Sequence, residues 1–345
     1  MLVLPGVLTR DPRKIEKLAT LALPALQRLL ARGLADSGAW TGMDAWLLDE
    51  FEVERQEDWP NAPFALLGEG ETPGDNCWVH ADPVSLRADR NSLLLADAAL
   101  LNIQPDEARA IVETLNAHYG DELGLCIATP DRWYARIQSP PKGETTPLSS
   151  VAGRPIEPGR GAMGWHALMN EMQMLLHDHP VNEAREARGE ATINGVWLWG
   201  AGRLAPVTTA YSSVASSLPL ARGLARHAGI GTADLPANAR HWLAGTAGAG
   251  VRVCVHDALQ TAAKSGSDEA WFSALVAMER DWIVPLVEAL EDERLGMLTL
   301  KLGGETSLHS FEATRQDLRR FWRRPKPLDR NLADNTKDGY TKDGE

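Results

Sequence analysis

Histidines and carboxylates cluster near the middle of the sequence, and they are the first candidates for chemistry. His177, Asp178 and His179 are consecutive at the end of a predicted helix, with His166 and Glu171 upstream. Such side chains can ligate a metal ion. Adjacent positions on a helix point in different directions, however, whereas ligands four residues apart converge. Histidines in a last helical turn also stabilise the helix dipole, and this structural interpretation is the simpler one.

A second pair, His256 and Asp257, directly follows the apolar run VRVCV, which predicts a buried strand. Ligands of α/β proteins bind at the carboxyl ends of strands, so the pair lies where chemistry is expected. Two side chains alone are too few for a metal site. If the chain is nevertheless a metal enzyme, the candidate ligands are His166, His177, His179, His256, Asp257 and His309.

Gly200 and Gly202 follow the apolar run GVWLW and loosely match the glycine pattern that binds dinucleotides. In that pattern a helix begins directly after the glycines, and its N-terminus holds the pyrophosphate. Here Pro206 and two threonines follow instead, and no acidic residue stands at a predicted strand end about 20 residues on. The context argues against nucleotide binding.

Five cations near the C-terminus surround the aromatic pair Phe321 and Trp322. They are Arg319, Arg320, Arg323, Arg324 and Lys326. Paired guanidinium donors bind phosphate well, so the cluster could contact a phosphate-rich partner. Cations at the end of a helix also stabilise its dipole, which is the simpler interpretation.

Apolar runs, together with the prolines and glycines that mark the ends of elements, predict the helices and strands that position these side chains. Short apolar runs alternate with helical patterns, which is typical of a mostly parallel sheet covered by helices on both faces. The predicted strands are 2–4, 123–128, 133–137, 195–199, 251–255 and 297–300. The predicted helices are 24–33, 105–116, 167–177 and 269–290. The stretch 138–161 is rich in proline and glycine, which predicts a long loop or hinge.

The composition indicates a globular protein and argues against several classes of partner. With 345 residues, 44% of them hydrophobic, the chain can bury a large core as one or two domains. The net charge of −12 argues against nucleic acid and against an anionic membrane as partners. No apolar run approaches the roughly 20 residues that span a bilayer. Three widely spaced cysteines predict no disulfide framework, so a cytoplasmic location is expected.

Five segments, in the same order along most of the chain, carry a resemblance to a known family. They are 21–33, 82–116, 130–137, 179–206 and 250–257, of which HPVNEAREARGEATINGVWLWGAGRLAP is the most specific. These segments resemble the archaeal-type cofactor-independent (2,3-bisphosphoglycerate-independent) phosphoglycerate mutases of the alkaline phosphatase superfamily. The chain also resembles uncharacterised proteobacterial proteins, some of them described as regulatory proteins of the RpfE type.

The resemblance implies an α/β fold of the alkaline phosphatase type. This fold is a three-layer sandwich with a mostly parallel sheet and an inserted smaller α+β cap domain. The implied core comprises residues 1–70 and 180–330, and the implied cap comprises residues 71–165. Residues 331–345 repeat the letters TKDG and lack a core-forming pattern, which predicts a disordered tail.

The family's chemistry depends on two metal ions, which activate a serine that takes a phosphoryl group from the substrate and returns it to the other hydroxyl. Each carboxylate ligand compensates cationic charge, so a missing ligand weakens the site directly. The resemblance places Pro5 and Gly6 at the family's first-strand aspartate. It places Gly303 and Gly304 at an aspartate–histidine pair.

Other positions depart from the family in the same way. Lys264 stands in the region of another metal ligand, and a lysine does not replace a metal-bound imidazole at neutral pH. Ser37 or Thr41 falls in the loosely similar nucleophile region, without the histidine that follows there in the family. Trp199 replaces a substrate-binding arginine. The resemblance therefore implies no catalytic residues and no metal ligands in this chain.

Some polar residues of the family's substrate-facing segments are retained. They are Arg87, Arg132, Asn182 and Arg185, and they predict a residual anion pocket. An arginine in such a segment is as often the structural partner of a nearby carboxylate.

The resulting prediction is a degenerate mutase-like protein with no cofactor. It would bind an unknown protein partner or a small phosphorylated metabolite, as a regulatory protein and possible homo-oligomer. The alternative is an active phosphoglycerate mutase or phosphohydrolase with displaced ligands and two divalent cations such as manganese. A third interpretation is a structural subunit of a larger complex, with which the 12 tryptophans are compatible.

Overall fold

A computed structural model describes residues 1–89, 92–96, 101–140, 142–151, 155–156, 165–245 and 250–334. The chain divides into two compact units. The first unit comprises Met1–Leu47, Thr209–Ala225 and Gly229–Glu345. The second comprises Leu48–Thr208 and Arg226–Ala228.

Strands and helices are numbered here in chain order. The strands are β1 (Leu2–Pro5), β2 (Leu34–Ala39), β3 (Cys77–Asp89), β4 (Ser92–Ala96), β5 (Leu123–Thr129), β6 (Arg132–Ile137), β7 (Pro155–Ile156), β8 (Gly195–Gly202), β9 (Tyr211–Ser216), β10 (Gly231–Ala233), β11 (Val251–Val255), β12 (Leu298–Gly303) and β13 (Ser307–Ala313). The first helices are α1 (Pro12–Leu18), α2 (Pro24–Arg32), α3 (Met43–Glu50), α4 (Asn61–Glu69), α5 (Pro105–Tyr119), α6 (Leu148–Val151), α7 (His166–His177) and α8 (Pro180–Ala187). Those that follow are α9 (Pro219–His227), α10 (Ala239–Ala244), α11 (Ala258–Lys264), α12 (Asp268–Met278), α13 (Val284–Glu291), α14 (Arg315–Leu318) and α15 (Asp329–Leu332).

The first unit is built on a mostly parallel sheet with the strand order β10-β9-β11-β1-β12-β13-β2. The strands from β10 to β12 pair in parallel, whereas β13 pairs antiparallel with both β12 and β2. All four residues of β1 are buried, because this central strand is covered on both faces. The predicted α/β fold with a mostly parallel sheet is confirmed.

A long helical stretch after β11 follows the predicted helix 269–290. It consists of α12, a π-helical turn at Glu279–Ile283 and α13, with Pro285 in the first turn of α13. The Glu279 carboxylate accepts hydrogen bonds from the backbone N–H groups of Ala25 and Leu26, at 2.7 and 3.0 Å. It therefore caps α2, whose Pro24 start and Gly33 end match the prediction.

The second unit contains an antiparallel sheet with the order β5-β6-β3-β4-β7, in which β8 also pairs with β3. The predicted strands 123–128, 133–137 and 195–199 all exist, but they lie in this sheet. The resemblance assigns strand 195–199 to the core segment 180–330, whereas the structure places it in the second unit. All eight residues of β8 are buried, and a continuous apolar run does not distinguish parallel from antiparallel pairing.

The predicted cap, residues 71–165, lies inside the second unit, which also contains 48–70 and 166–208. Compact units and family domains are defined differently, so the boundaries at 70 and 180 stay a prediction. Residues 331–334, which open the predicted disordered tail, are folded: Leu332 is fully buried and Asp334 is 2% exposed. The rest of the tail, 335–345, lies outside the described residues.

The predicted hinge, 138–161, contains the short helix α6 and the short strand β7 in its described parts. Positions 141, 152–154 and 157–161 of that stretch lie outside the described residues. Among the described helices, none is long and apolar enough to cross a membrane.

Candidate functional site

The carboxyl ends of the parallel strands define the place where an α/β sheet binds ligands. In the first unit, the residues directly after these ends are Gly6 after β1, Ser217 after β9, Asp234 after β10, His256 after β11 and Gly304 after β12. We call this place the carboxyl edge. At Gly6 and Gly304, neighbouring atoms leave little room for a ligand.

Gly6 lies against the first turn of α11. Its φ of +76° favours glycine, and a Cβ atom here would lie 2.6 Å from the Cα of Gln260. The carbonyl of Gly6 also accepts a 2.8 Å hydrogen bond from the indole N–H of Trp271. The position that the family gives to an aspartate is therefore filled by backbone.

The end of β12 is filled in the same way by side chains. A Cβ atom on Gly303 would lie 2.8 Å from the ring of Trp40, which is buried. A Cβ atom on Gly304 would lie 2.8 Å from the carboxyl carbon of Asp334 and from Leu8. Contacts this short do not occur between real Cβ atoms and their neighbours. A side chain at Gly303 or Gly304, where the resemblance places an aspartate–histidine pair, would therefore require these neighbours to move.

Asp334 closes the edge through a set of hydrogen bonds. Its carboxylate accepts from the backbone N–H groups of Glu305 and Thr306, at 2.7 and 3.3 Å, and from the hydroxyl of Ser307. The Arg10 guanidinium lies 3.5 Å from the same carboxylate, whose side chain is fully buried. These oxygens are therefore already engaged, and the residues after β12 are fixed to the C-terminal segment.

The sequence predicted two polar residues at this edge, His256 and Asp257. Asp257 accepts a 3.0 Å hydrogen bond from the Ser217 hydroxyl. The His256 ring packs edge-on against Trp282, with 5.0 Å between ring centroids. Burial lowers the pKa of His256, so the imidazole is neutral at pH 7, and its Nδ1 has no hydrogen-bond partner among the described residues.

The other candidate ligands do not join this pair. His166, His177 and His179 belong to the second unit, whereas His309 belongs to the first. His177 is 83% exposed, and the ring of His179 caps the start of α8. The Nδ1 atom of His309 contacts a backbone carbonyl at 3.2 Å. In the described ranges, no group of three or more histidines, cysteines or carboxylates could hold a metal ion.

Two of the predicted anion-pocket residues, Asn182 and Arg185, are buried on α8. The Asn182 amide donates to the carbonyls of Leu176 and Ile193 at 2.7 and 3.0 Å, and its oxygen accepts from the Ile193 N–H at 2.8 Å. All of its hydrogen-bonding groups therefore bind the protein itself.

Arg185 has a similar environment. Its Nε donates to the carbonyl of Ala191 at 2.7 Å, and its terminal nitrogens contact Glu107 and the carbonyl of Leu101, each at 2.5 Å. The side chain is 1% exposed. A buried guanidinium with these partners joins α8 to α5 and to the segment before α5.

Arg132 and Arg87 lie on strands of the antiparallel sheet. Arg132 binds Glu69 through two nitrogens, at 2.6 and 3.4 Å, so it too has a carboxylate partner. Arg87 is exposed on β3. The structure gives three of the four residues internal partners, and the pocket they would form stays a prediction.

A buried polar cluster in the second unit was not predicted. The His80 ring stacks on Trp199 with 4.0 Å between centroids, and its Nε2 lies 2.8 Å from the Asn61 side-chain oxygen. The Trp199 indole donates to Asp82 at 2.7 Å. Burial lowers the pKa of His80 to about 3 and raises the pKa of Tyr134, so both side chains are neutral at pH 7.

No sequence pattern indicated this cluster. His80 and Asp82 alternate with Val79 and Ala81 in the segment WVHADPV, which was not predicted as a strand. Strand alternation usually places the polar set in solvent, but α4 packs on this face of β3 and β8, and its first residue, Asn61, contacts His80. The cluster serves as a polar core of the second unit.

Comparison with known proteins identifies the relatives. No protein-family model matches the chain. The 2,3-bisphosphoglycerate-independent phosphoglycerate mutase of Methanosarcina barkeri is 28% identical over 149 residues, which are 39% of this chain and 37% of that protein. A probable mutase of the same kind from Geobacter sulfurreducens is 27% identical over 159 residues, 43% of this chain and 40% of that protein.

The resemblance to the cofactor-independent phosphoglycerate mutases is confirmed. The chain matches only about two fifths of the length of these relatives. The PH0037 protein from Pyrococcus horikoshii has a similar fold, with a TM-score of 0.54, 14% identity and coverage of 91% of this chain and 86% of that one. The cofactor-independent mutase from Thermoplasma acidophilum gives a TM-score of 0.46 at 16% identity, covering 91% and 89%.

The carboxyl edge of this mutase-like chain does not fit a pair of metal ions. A two-metal site needs several convergent carboxylates and imidazoles around cations about 3.5–4 Å apart. Here Gly6, Gly303 and Gly304 leave no space for such ligands, and the oxygens of Asp334 accept other hydrogen bonds. His256 and Asp257 alone would not complete the site.

Proposed function

We propose that the chain is a degenerate phosphoglycerate-mutase-like protein that lacks the two-metal site and acts as a non-catalytic, regulatory binding protein. The observation that supports this proposal is the closure of the carboxyl edge. At three positions where the family is expected to carry metal ligands, a glycine is packed so tightly that no side chain fits.

The proposed ligand positions are not only without ligands but are also filled by neighbouring elements. A site that had only lost its ligands would leave an open cleft at the strand ends. At this edge a helix, a tryptophan ring and a carboxylate occupy the positions next to Gly6, Gly303 and Gly304. Restoring a ligand would therefore require the neighbouring elements to move, and closely packed interiors resist such movement.

The proposed ligand is a small phosphorylated metabolite or a protein partner. Arg87 is the one residue of the predicted anion pocket that is exposed, which supports a contact with an external anion. The proposal includes a cytoplasmic location. Cys77, Cys126 and Cys254 are all free thiols, which fits a reducing compartment.

A turnover assay tests the proposal. The protein is incubated with manganese and magnesium ions, and conversion of 3-phosphoglycerate to 2-phosphoglycerate is followed with the Methanosarcina barkeri relative as positive control. We expect no turnover above the metal-only background. Manganese-dependent turnover that disappears in His256→Ala would instead establish an active mutase with displaced ligands.

A further inference from the structure

The strand β2 forms one lateral edge of the seven-stranded sheet in the first unit. It pairs with β13 on one side, and no described strand pairs with its other side. All six of its residues are exposed. Proteins usually protect such an edge with lysine, proline or a β-bulge. The sequence LADSGA contains neither lysine nor proline, and its register with β13 is continuous. Its one charged side chain, Asp36, accepts the N–H of Ser37 at 2.8 Å, so the N–H groups of Ala35 and Ala39 remain for a partner.

The hydrogen-bonding register shows which backbone groups face the open side. The Trp40 N–H donates to the Thr306 carbonyl at 2.8 Å, and these two residues continue the β2–β13 register. In an antiparallel ladder, hydrogen-bonded pairs alternate with pairs whose backbone groups point away from the partner strand. The backbone groups of Ala35, Ser37 and Ala39 are therefore directed towards the open side.

Beside this edge lies an exposed loop, residues 319–327, which we call the aromatic–arginine loop. Phe321 and Trp322 are 77% and 67% exposed and pack edge-on, with 5.3 Å between ring centroids. The seven residues 321–327 are all exposed. Exposed aromatic side chains next to arginines have the composition of energetically dominant residues in protein interfaces.

Hydrogen bonds hold this loop against the start of β2. The Arg323 guanidinium donates to the carbonyl of Gly33, the residue before β2, at 3.3 Å. Arg28 and Arg32 both donate to the carbonyl of Leu318, the residue before the loop. The loop and the strand edge are thus fixed to each other within one unit.

The charge next to the edge is strongly positive. Residues 315–326 contain six cations and one carboxylate, in a chain whose net charge is −12. A cleft of about 210 Å³ beside the loop is lined by three arginines, one glutamate and one leucine: Arg28, Arg315, Arg319, Glu291 and Leu318. Arg28 binds Glu291 at 2.6 Å and Arg315 binds Glu293, whereas Arg319 and Arg324 have no ion pair among the described residues. These two guanidinium groups are complementary to carboxylates on a partner.

We propose that β2 and the aromatic–arginine loop form one docking surface for an extended, acidic segment of another protein. The segment adds to the sheet as a further strand, so its main chain bonds the outward N–H and carbonyl groups of Ala35 and Ala39 and the carbonyl of Ser37. Its carboxylates lie against Arg319 and Arg324, and an apolar side chain packs against the aromatic pair. The surface lies outside the carboxyl edge, so the proposal does not depend on whether the chain is catalytic.

An acidic peptide fits this surface better than an anionic membrane does. A planar bilayer would approach a larger part of the protein than the loop alone, and the net charge of −12 opposes that approach. A single extended segment contacts only the cationic region, and charges farther away than about 8 Å are largely screened at physiological salt. Only a polypeptide also pairs with the open strand edge.

The test uses a fluorescein-labelled ten-residue peptide in which glutamate alternates with valine, and binding is measured by fluorescence polarisation. Ala35→Pro removes an outward N–H without touching the bonds to β13, whereas Ala35→Val retains it. We expect Ala35→Pro to weaken binding at least tenfold and Ala35→Val to change it less than twofold. We expect Arg324→Glu to weaken it about tenfold, and thermal melting confirms that each variant is folded.

Four results would overturn the proposal. The first is unchanged peptide binding by folded Ala35→Pro, and the second is equal binding of a peptide with lysine in place of glutamate. The third is a concentration-dependent dimer that Ala35→Pro abolishes, which would make a second copy of this chain the occupant. The fourth is binding to phosphatidylserine vesicles that prevents peptide binding and persists in Ala35→Pro.

Discussion

Two edges of the same seven-stranded sheet differ in how far neighbouring residues cover them. At the carboxyl edge, the strand ends of β1 and β12 are covered by a helix, a tryptophan ring and the Asp334 carboxylate. At the lateral edge, β2 is exposed along its whole length beside an excess of arginines. The ends of β1 and β12, at the edge where an α/β sheet normally carries chemistry, are thus packed, whereas the lateral edge that proteins normally protect is open.

Under the proposed function, similarity to an enzyme family and capacity for its chemistry are separate properties of this chain. The sheet order and the buried central strand depend on buried apolar residues. The family's chemistry depends on a few polar positions at strand ends, and the resemblance places Gly6, Gly303 and Gly304 at such positions. Function therefore has to be inferred from the site itself.

The largest expected change in stability comes from introducing a carboxylate at the carboxyl edge. Gly304→Asp places a Cβ atom 2.8 Å from the Asp334 carboxyl carbon and adds a second negative charge there. We expect the free energy of unfolding, measured with urea, to fall by about 4 kcal/mol, from overpacking and an unpaired buried charge. Gly296→Asp is the matched control, because nothing lies within 4 Å of its Cβ position. A stable Gly304→Asp would mean that the edge is not closed.

The second effect comes from removing Asp334. Asp334→Ala leaves the N–H groups of Glu305 and Thr306 and the hydroxyl of Ser307 without their acceptor. We expect a loss of about 3 kcal/mol in urea unfolding, since each unsatisfied buried group costs about 1–3 kcal/mol in isolation. Asp292→Ala, whose side chain is 64% exposed, should change stability by less than about 0.5 kcal/mol. Equal effects of the two substitutions would contradict the role of Asp334.

The third effect is a pH dependence at the carboxyl edge. Burial lowers the pKa of His256 in the folded protein, so its contribution to stability is present above the unfolded value near 6.5 and is lost as the pH falls below it. We expect the stability of the wild type to fall more steeply below pH 6.5 than that of His256→Gln, by at most about 1.4 kcal/mol per pH unit. Parallel stability curves would show that His256 is solvated and available.

The smallest effect is expected at the lateral edge. Trp322 is 67% exposed, so Trp322→Ala removes little buried surface and should change the free energy of unfolding by less than about 0.5 kcal/mol. The same substitution should weaken binding of the acidic peptide about tenfold, because an interface tryptophan contributes through its contact with the partner. A large loss of stability would show that the loop is part of the core.

The sequence predicted those parts of the fold that depend on local apolar runs. Strands 2–4, 251–255 and 297–300 correspond to β1, β11 and β12, and Pro24 and Gly33 marked the bounds of α2. β2 was missed because LADSGA has neither an apolar run nor an alternating pattern. Its position depends on pairing with β13, nearly 270 residues away in the chain.

For the candidate site, the sequence predicted only which metal ligands are missing. The resemblance placed Gly6, Gly303 and Gly304 where ligands were expected, but it did not show what fills the space. Asp334 lies about 30 residues from Gly304 and in a segment predicted to be disordered, so no local pattern indicated its role. The closure depends on tertiary contacts that composition and spacing do not specify.

The most direct test of the closed carboxyl edge is to count bound manganese. Electron paramagnetic resonance at room temperature measures free Mn²⁺, because the signal of the bound ion broadens. Mn²⁺ is titrated into the metal-stripped protein at pH 7.5, with the Methanosarcina barkeri relative as control. The closed edge predicts that the free signal rises in proportion to added metal from the first addition. Loss of signal equivalent to two ions per chain would contradict the closure and require an intact two-metal site.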